Sequence, residues 1–397
     1  MTRFKISPAH DKPVDEAILL GHDEIVKALK NFIESDDMIT PLSIAIDGDW
    51  GSGKTSIVNT LAKQLPSEQF IKVFFEPWRY ENSDPPLALV STILNEINKV
   101  SVTEISSNII NLAANTFSSK YLNKDIKDVA GFILGKVKTV ESFSESLEKC
   151  LKEGRKNNEK LIIMIDDLDR CDVENTLLIL SIMKLFLEID DCICIAAVDF
   201  ERLKQAWRTK YKVNEVDDKG KEYLEKIFQI KVAVPKPSND QVKEYLDDLV
   251  PGMDEILLRL FSIVGPKNPR AIKKMLNIIR FRASMLNSDF SNDASALWTL
   301  LEYILENKNL ILAYNGLGKT GNSFGQLINN VTPDEEENYR NTICNHIPRA
   351  NSIPNVFFKL ETFLTLANQY VTKHHIHRDN IDNNFRILNN LTNEDVE

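Results

Sequence analysis

The sequence has few cysteines, no long uninterrupted apolar run and no excess of positive charge. Its five cysteines are too scattered for a disulfide scaffold or for the spacing of a zinc finger (Cys150, Cys171, Cys192, Cys194 and Cys344). No apolar stretch approaches the roughly 20 residues of a membrane-spanning helix. Residues 1–13 lack the apolar core of a signal peptide. We therefore expect a soluble, cytoplasmic protein without membrane attachment.

The charge balance bears on the choice of partner. The net charge is −10 over 397 residues, with 43% hydrophobic and 27% charged residues. Such a composition is that of a globular protein with a sizeable core. An acidic chain is not coated with the positive charge that nucleic-acid binding requires, although a local basic groove remains open. A nucleic-acid partner is therefore possible but not favoured.

Apolar strands alternate with amphipathic helices over the first 235 residues. The predicted strands cover 42–47, 70–75, 161–165, 191–198 and 228–234, and helices are expected over 14–34 and 55–65. This alternation predicts an α/β fold with a parallel sheet. We expect a core over 1–235 with a helical insertion at about 86–150, then a helical subdomain over 236–290 and a further helical region over 291–397.

A glycine-rich loop between the first predicted strand and the next helix is the strongest motif. It reads Gly48-Asp49-Trp50-Gly51-Ser52-Gly53-Lys54-Thr55-Ser56 and has P-loop spacing. The glycines allow the backbone to turn and present N–H groups to phosphate oxygens, next to the positive end of a helix dipole. Lys54 is predicted to reach the β- and γ-phosphates, and the Thr55 hydroxyl to ligate Mg²⁺. The loop predicts binding of ATP or a similar nucleotide with Mg²⁺.

Paired acids end the strand at 161–165. Asp166 and Asp167 follow this apolar run in the manner of a Walker B motif. We expect Asp166 to hold Mg²⁺ and Asp167 to orient the attacking water. Arg170 follows closely. It is expected to contact phosphate or a neighbouring subunit, or else to pair locally with Asp166, Asp169 or Asp172.

Several further motifs resemble the KAP family of P-loop NTPases. Besides the phosphate loop, these are Glu76-Pro77-Trp78-Arg79-Tyr80, Ile165-Asp166-Asp167-Leu168-Asp169-Arg170-Cys171, Ala196-Ala197-Val198-Asp199, Tyr223-Leu224-Glu225-Lys226-Ile227-Phe228-Gln229 and Asn268-Pro269-Arg270. The resemblance covers roughly residues 10–285. It implies a three-layer parallel sheet with an additional strand between the two Walker strands, followed by a helical lid.

The resemblance also implies roles for single residues. Asp199 is placed like a polar sensor of the γ-phosphate, and Arg270 resembles the sensor arginine of the lid. An alternative for Arg270 is a helix-terminal arginine on a basic surface. Family members often carry Asn where this chain has Glu76, so Glu76 is a second candidate for the catalytic acid beside Asp167. Many relatives insert membrane helices between the Walker motifs, whereas this interval is polar and amphipathic here.

The function implied is that of a Mg²⁺-dependent ATPase acting as a switch or motor subunit. The resemblance is to KAP proteins of bacterial anti-phage defence, which act with a partner effector. Self-assembly or an effector protein is therefore the expected partnership, with Lys226 as the candidate residue acting across a subunit boundary and Arg170 as its runner-up. The alternative is a nucleotide-binding scaffold with little turnover, whose helical C-terminal region binds a partner.

Two further patterns are not expected to be sites. Residues 315–321 imitate a second P-loop, but position 313 is Ala and the following Gly321-Asn322 opposes a helix. His374 and His377 resemble a metal motif without a full ligand set, and a solvated helix end is favoured.

Overall fold

The computed structural model describes residues 7–10, 12, 19–81, 85–97, 145, 148, 159–212, 219–286, 291–305, 354–376, 380, 384, 385, 387 and 388. The predicted insertion over 86–150 lies outside these residues, apart from its first helix and two isolated positions. The second glycine-rich stretch, 315–321, lies outside them entirely.

Five strands form one parallel sheet. They are β1 (Leu42–Asp47), β2 (Phe70–Phe75), β3 (Lys160–Ile165), β4 (Cys192–Val198) and β5 (Ile230–Ala233). Their order is β2-β3-β4-β1-β5, and all neighbours are parallel. Strand β4 therefore separates the strand before the glycine loop from the strand before the paired acids, which confirms the additional strand expected there.

The burial of the strands follows their place in the sheet. All seven residues of β4 are buried, as are five of the six residues of β1 and five of the six of β3. Such continuous apolar runs are typical of central parallel strands, since both of their faces are covered by helices. The edge strand β5 is only partly buried, on alternate residues.

Eleven helices of seven residues or more surround or follow the sheet in the described ranges. They are α1 (His22–Ile33), α2 (Lys54–Gln64), α3 (Pro85–Ile97), α4 (Val173–Phe186), α5 (Phe200–Tyr211), α6 (Lys219–Glu225), α7 (Asn239–Leu249), α8 (Glu255–Val264), α9 (Pro269–Met285), α10 (Ser291–Leu305) and α11 (Pro354–Lys373).

The sheet is the middle of three layers. On one face, Ile162, Met164 and Ile195 pack with α1 and α2. On the other face, Ile163 and Cys194 pack with α3, α4 and α5. Successive strand residues enter opposite cores because side chains alternate along a strand. This is the predicted α/β architecture.

The chain divides into two compact units. One is built on His22–Pro235 and holds the sheet, and the other is built on Lys236–Glu397 with Leu19–Gly21. The second unit is helical in its described part and has its own core around Trp298, which packs edge-on against Phe385 with ring centroids 4.9 Å apart. Its division at residue 290 into a lid and a C-terminal region stays a prediction. No helix in the described ranges has the length and apolarity to cross a bilayer.

Two boundaries differ from the sequence prediction. Within the described residues, the helix predicted over 14–34 begins at His22, because Leu20 and Gly21 have φ values of 63° and 78°, which a right-handed helix does not accommodate. Residues 14–18 of that prediction lie outside the described part of the chain. Strand β5 begins at Ile230 rather than at 228. The N–H groups of Ile227 and Phe228 both donate to the Leu224 carbonyl, so these residues close α6 instead of joining the sheet.

Candidate nucleotide-binding site

The loop between β1 and α2 needs its glycines for two different reasons. Gly51 and Gly53 have φ values of 83° and 98°, in the left-handed region that residues with a Cβ rarely adopt. A Cβ on Gly48 would lie 2.7 Å from Ser52 Oγ, so the loop folds back closely on its own start. The backbone thus makes a tight turn directly before α2, where its N–H groups can face an anion.

Lys54 is the first residue of α2 and is buried, with 8% of its surface exposed. Its ammonium donates to the carbonyl oxygens of Gly48 at 2.7 Å and Asp49 at 3.1 Å. Within the described residues, no carboxylate lies within ion-pair distance of it. A buried cation held only by neutral carbonyls is costly, and a nucleotide phosphate would supply the missing negative charge.

The remaining loop residues divide between interior and surface. Ser52 Oγ is buried and, in the part of the chain that the structure describes, has no hydrogen-bond partner. Ser56 is buried in the first turn of α2, whereas Asp49 and Trp50 are exposed. A buried hydroxyl without a partner is uncommon in folded proteins, and a phosphate oxygen would satisfy it. The interior of the loop therefore fits a phosphate group.

The Thr55 hydroxyl and the Asp166 carboxylate are in contact. Thr55 donates a hydrogen bond to Asp166, and the Asp167 N–H donates to Asp166 Oδ1 at 2.8 Å. Burial raises the pKa of Asp166, and these hydrogen bonds together with Lys54 oppose that rise. A hydroxyl and a carboxylate at the mouth of a phosphate loop are oxygen ligands of the kind Mg²⁺ prefers. The two residues assigned to the metal from the sequence are thus brought together, and Mg²⁺ held there would neutralise phosphate charge.

Asp167 adopts a left-handed conformation with φ 56° and pairs with Arg170. The distance from Arg170 Nε to Asp167 Oδ1 is 2.8 Å, and Arg170 Cζ lies 5.6 Å from the ring centroid of Trp78. Burial, with Asp166 next, raises the pKa of Asp167 to about 6, and Arg170 opposes the rise. The local partner of Arg170 is therefore Asp167, and not Asp166, Asp169 or Asp172 as the sequence suggested.

Glu76 directly follows β2, the strand next to β3. The N–H of Asp166 donates to the Phe75 carbonyl at 3.0 Å, so Glu76 and Asp166 leave adjacent strands side by side. The Glu76 charge contributes to the raised pKa of both Asp166 and Asp167. Glu76 itself pairs with Arg79 three residues along the chain. Glu76 therefore lies near the paired acids, and its share in catalysis stays a prediction.

Asp199 directly follows β4. This strand lies between β1, which precedes the glycine loop, and β3, which precedes the paired acids. Its Oδ1 accepts from the N–H groups of Glu201 at 3.1 Å and Arg202 at 3.2 Å, which makes it the N-cap of α5. Such a cap satisfies helix N–H groups that have no partner within the helix. Its position at the carboxyl end of the sheet agrees with the predicted sensor, whose role stays a prediction.

Arg270 and Lys226 come from later elements of the chain. Arg270 lies in the first turn of α9, in the helical unit, and its predicted contact with nucleotide stays a prediction. Lys226 is exposed directly after α6. Among the described residues its ammonium has no carboxylate within ion-pair distance, whereas Glu225 pairs with Lys221 at 3.8 Å. The structure therefore gives no support to a local ion pair of Lys226 with Glu222 or Glu225.

Two residues at the site were missed from the sequence. Asp47 ends β1; its Oδ1 accepts from the Phe200 N–H at 2.9 Å and its Oδ2 pairs with Lys231 at 2.8 Å. His22 packs its ring against Gly53 although 30 residues separate them. Asp47 could have been noticed from its position directly before the glycine loop, although this is a weak signal. No local pattern in the sequence indicates His22.

His374 lies outside this site, in the helical unit. Its Nε2 is 2.9 Å from Asp254 Oδ2, which also accepts from Lys373 at 2.7 Å. No group of three or more potential metal ligands occurs among the described residues. His374 thus forms a local polar contact at the end of α11, and His377 lies outside the described residues.

Comparison with known proteins supports the assignment of the loop. The model of the KAP family P-loop domain matches residues 22–286, more than half of the 397-residue chain. An uncharacterized protein of Methanocaldococcus jannaschii is 27% identical over a segment that covers 32% of this chain and 89% of that protein.

Two solved structures are distantly similar. Cdc6p from Pyrobaculum aerophilum is 12% identical with a TM-score of 0.41, over 91% of this chain and 97% of that one. The RuvB Holliday junction branch migration motor of Thermotoga maritima is 13% identical with a TM-score of 0.34, over 87% of each chain.

Proposed function

Since the chain belongs to the KAP family of P-loop NTPases, we propose that it is a Mg²⁺-dependent ATPase whose nucleotide state controls assembly or the binding of a partner. The observation that carries the proposal is the contact between the Thr55 hydroxyl and the Asp166 carboxylate. The Lys54 ammonium reaches back into the same loop, and its partners among the described residues are the carbonyl oxygens of Gly48 and Asp49. These are the groups needed to bind a nucleoside triphosphate and its metal ion.

The chemistry requires few protein groups beyond these. Lys54 and the loop N–H groups would hold the phosphates and stabilise negative charge as the terminal phosphate leaves. Asp167, with Glu76 beside it, would orient or deprotonate the attacking water. A carboxylate with a pKa of about 6 is charged at pH 7 and basic enough to accept a proton.

The proposal is tested by measuring phosphate release from ATP and from GTP in excess Mg²⁺. The wild-type protein is compared with the Lys54→Ala and Lys184→Ala variants. Lys184 is an exposed lysine in the last turn of α4 and serves as the matched control. We expect turnover in wild type and Lys184→Ala proteins and little in Lys54→Ala. Turnover that is equal in wild type and Lys54→Ala proteins would refute the assignment of this site.

We further propose that the protein acts in anti-phage defence together with an effector protein. This proposal is supported by the motifs that resemble those of KAP proteins from such loci, which lie between Glu76 and Arg270. Plating phage on cells that carry the gene with its neighbours tests this. Protection that is lost with Lys54→Ala is expected, and equal plating with and without the intact gene would refute it.

A nucleotide-binding scaffold with little turnover is the second candidate. It is favoured by the ion pair that holds Asp167 to Arg170 and by the use of Asp199 as a helix cap, since both engage groups that hydrolysis would need. Two results together would identify the protein as a scaffold. ATP would bind tightly in calorimetry, and in single-turnover experiments bound ATP would be released unchanged faster than it is hydrolysed.

A further inference from the structure

His22 is a buried polar residue to which the ATPase proposal gives no role. It begins α1, and only 5% of its surface is exposed. The turn before it is unusual, because Leu20 and Gly21 both have positive φ. Behind it, Val26 and Leu29 anchor α1 in the core that α1 shares with α2. The backbone that carries His22 is thus anchored by the core that α1 shares with α2.

The ring of His22 contacts the phosphate loop at two neighbouring residues. Its N–H donates to the backbone carbonyl of Ser52. The ring also fills the space beside Gly53, where a Cβ would lie 2.4 Å from His22 Cε1. Gly53 is therefore required by its φ of 98° and also by the imidazole beside it.

The contact with Ser52 orients the peptide bond between Ser52 and Gly53. A trans peptide is planar, and its C=O and N–H point in opposite directions. Because the Ser52 carbonyl is directed to the imidazole, the Gly53 N–H is directed away from it. Within the described residues this N–H has no hydrogen-bond partner, and neither has the buried Ser52 Oγ. Two donors without a described partner, the Gly53 N–H and the Ser52 hydroxyl, therefore lie next to the peptide bond whose carbonyl contacts His22.

We propose that His22 is a positioning residue for phosphate binding: it holds the Ser52 carbonyl so that the Gly53 N–H is presented to a nucleotide phosphate. The inference rests on the proposed nucleotide site. His22 acts through the backbone and does not itself touch the ligand. Its second contribution is steric, because the ring fills the space beside Gly53 and leaves no room for a side chain there.

A matched pair of substitutions separates positioning from simple filling of space. His22→Gln keeps an N–H donor, whereas His22→Leu keeps an apolar side chain of similar size without one. Without that donor the Ser52 carbonyl loses the contact that orients it, so the Gly53 N–H is less well presented to a phosphate. We therefore expect His22→Leu to weaken ADP binding about 10- to 100-fold by calorimetry, and His22→Gln to stay within about 3-fold of wild type. ADP is the probe because its binding requires no hydrolysis.

A spectroscopic readout distinguishes positioning from a general loss of stability. In glycine-selective ¹⁵N spectra, the Gly53 N–H should shift strongly when ADP is added to wild type and His22→Gln proteins, and less in His22→Leu. Combined ¹³C-carbonyl serine and ¹⁵N-glycine labelling assigns the signal, because Ser52-Gly53 is the one Ser-Gly pair in the sequence. If His22→Leu does not fold, the wild-type spectrum still decides, because a Gly53 N–H that does not respond to bound ADP contradicts the proposal.

The outcomes separate the two proposals. Wild-type protein that binds no ADP would overturn the nucleotide site and with it this inference. Wild-type binding with equal affinity in His22→Leu, or equal loss in His22→Leu and His22→Gln, would overturn the role of His22 alone.

Discussion

Arg170 Nε lies 2.8 Å from Asp167 Oδ1, so the carboxylate proposed to orient the attacking water is paired within its own chain. The guanidinium also lies over the ring of Trp78, at 5.6 Å from its centroid. An arginine engaged in this way is not available to a neighbouring subunit unless the pair breaks. This contact weakens the case for Arg170 as a residue acting in trans and leaves Lys226 as the stronger candidate.

Replacing Asp167 should separate binding from hydrolysis. We expect Asp167→Asn to bind ATP about as tightly as wild type and to hydrolyse it about 10²- to 10⁴-fold more slowly, since one water-orienting or general-base group is lost. Calorimetry and single-turnover phosphate release measure the two effects. Glu76→Gln is the matched variant. Full hydrolysis by Asp167→Asn together with a large loss in Glu76→Gln would assign the catalytic role to Glu76.

Lys226 should complete the site of a neighbouring subunit. It is exposed directly after α6, and a fixed cation best meets the charge that develops on the transferred phosphate. We expect Lys226→Ala to lose most activity and to regain part of it when Asp167→Asn subunits are added, because the latter supply Lys226. Lys221→Ala, which removes an exposed lysine of α6, is the control. A protein that stays monomeric with ATP at every concentration and keeps a constant specific rate would contradict a shared site.

One nucleotide should bind per chain. The glycine-rich stretch at 315–321 lacks the first glycine of a P-loop, so Lys319→Ala is expected to leave binding and turnover unchanged. Calorimetric titration with ADP gives the stoichiometry, and Lys54→Ala serves as the variant that should abolish it. A stoichiometry near two, or a loss of one of two sites in Lys319→Ala, would show that the second stretch binds nucleotide.

Acid should destabilise the nucleotide-free protein through His22. Burial lowers the pKa of His22, and the hydrogen bond to Ser52 and the charge of Asp23 only partly oppose this. Between that lowered pKa and about 6.5, the unfolded chain binds a proton that the folded chain does not, so stability falls as the pH drops below about 6.5. The loss of melting temperature between pH 7.5 and 5.5 should therefore be smaller in His22→Gln than in wild type. An equal loss in both proteins would mean that another group is responsible.

Much of the fold follows from local patterns. The strands β1, β3 and β4 were predicted within one residue because runs such as Ile193 to Val198 must be buried on both faces. The phosphate loop was predicted because only glycine suits its backbone angles. The start of α1 was not predicted correctly, because the amphipathic pattern continues upstream of His22. Nothing in that pattern indicates that Leu20 and Gly21 take positive φ.

The sequence by itself determined the parallel α/β sheet, the loop from Gly48 to Thr55 and the paired acids, since each depends on residues that are neighbours in the chain. Only the tertiary structure decided which partner Arg170 takes and that His22 contacts Ser52 and Gly53. Arg170 had several acids within reach, and the turn at Asp167 selects among them. His22 and Gly53 meet because α1 and α2 pack on the same face of the sheet, and that packing is a property of the whole core and not of any local pattern.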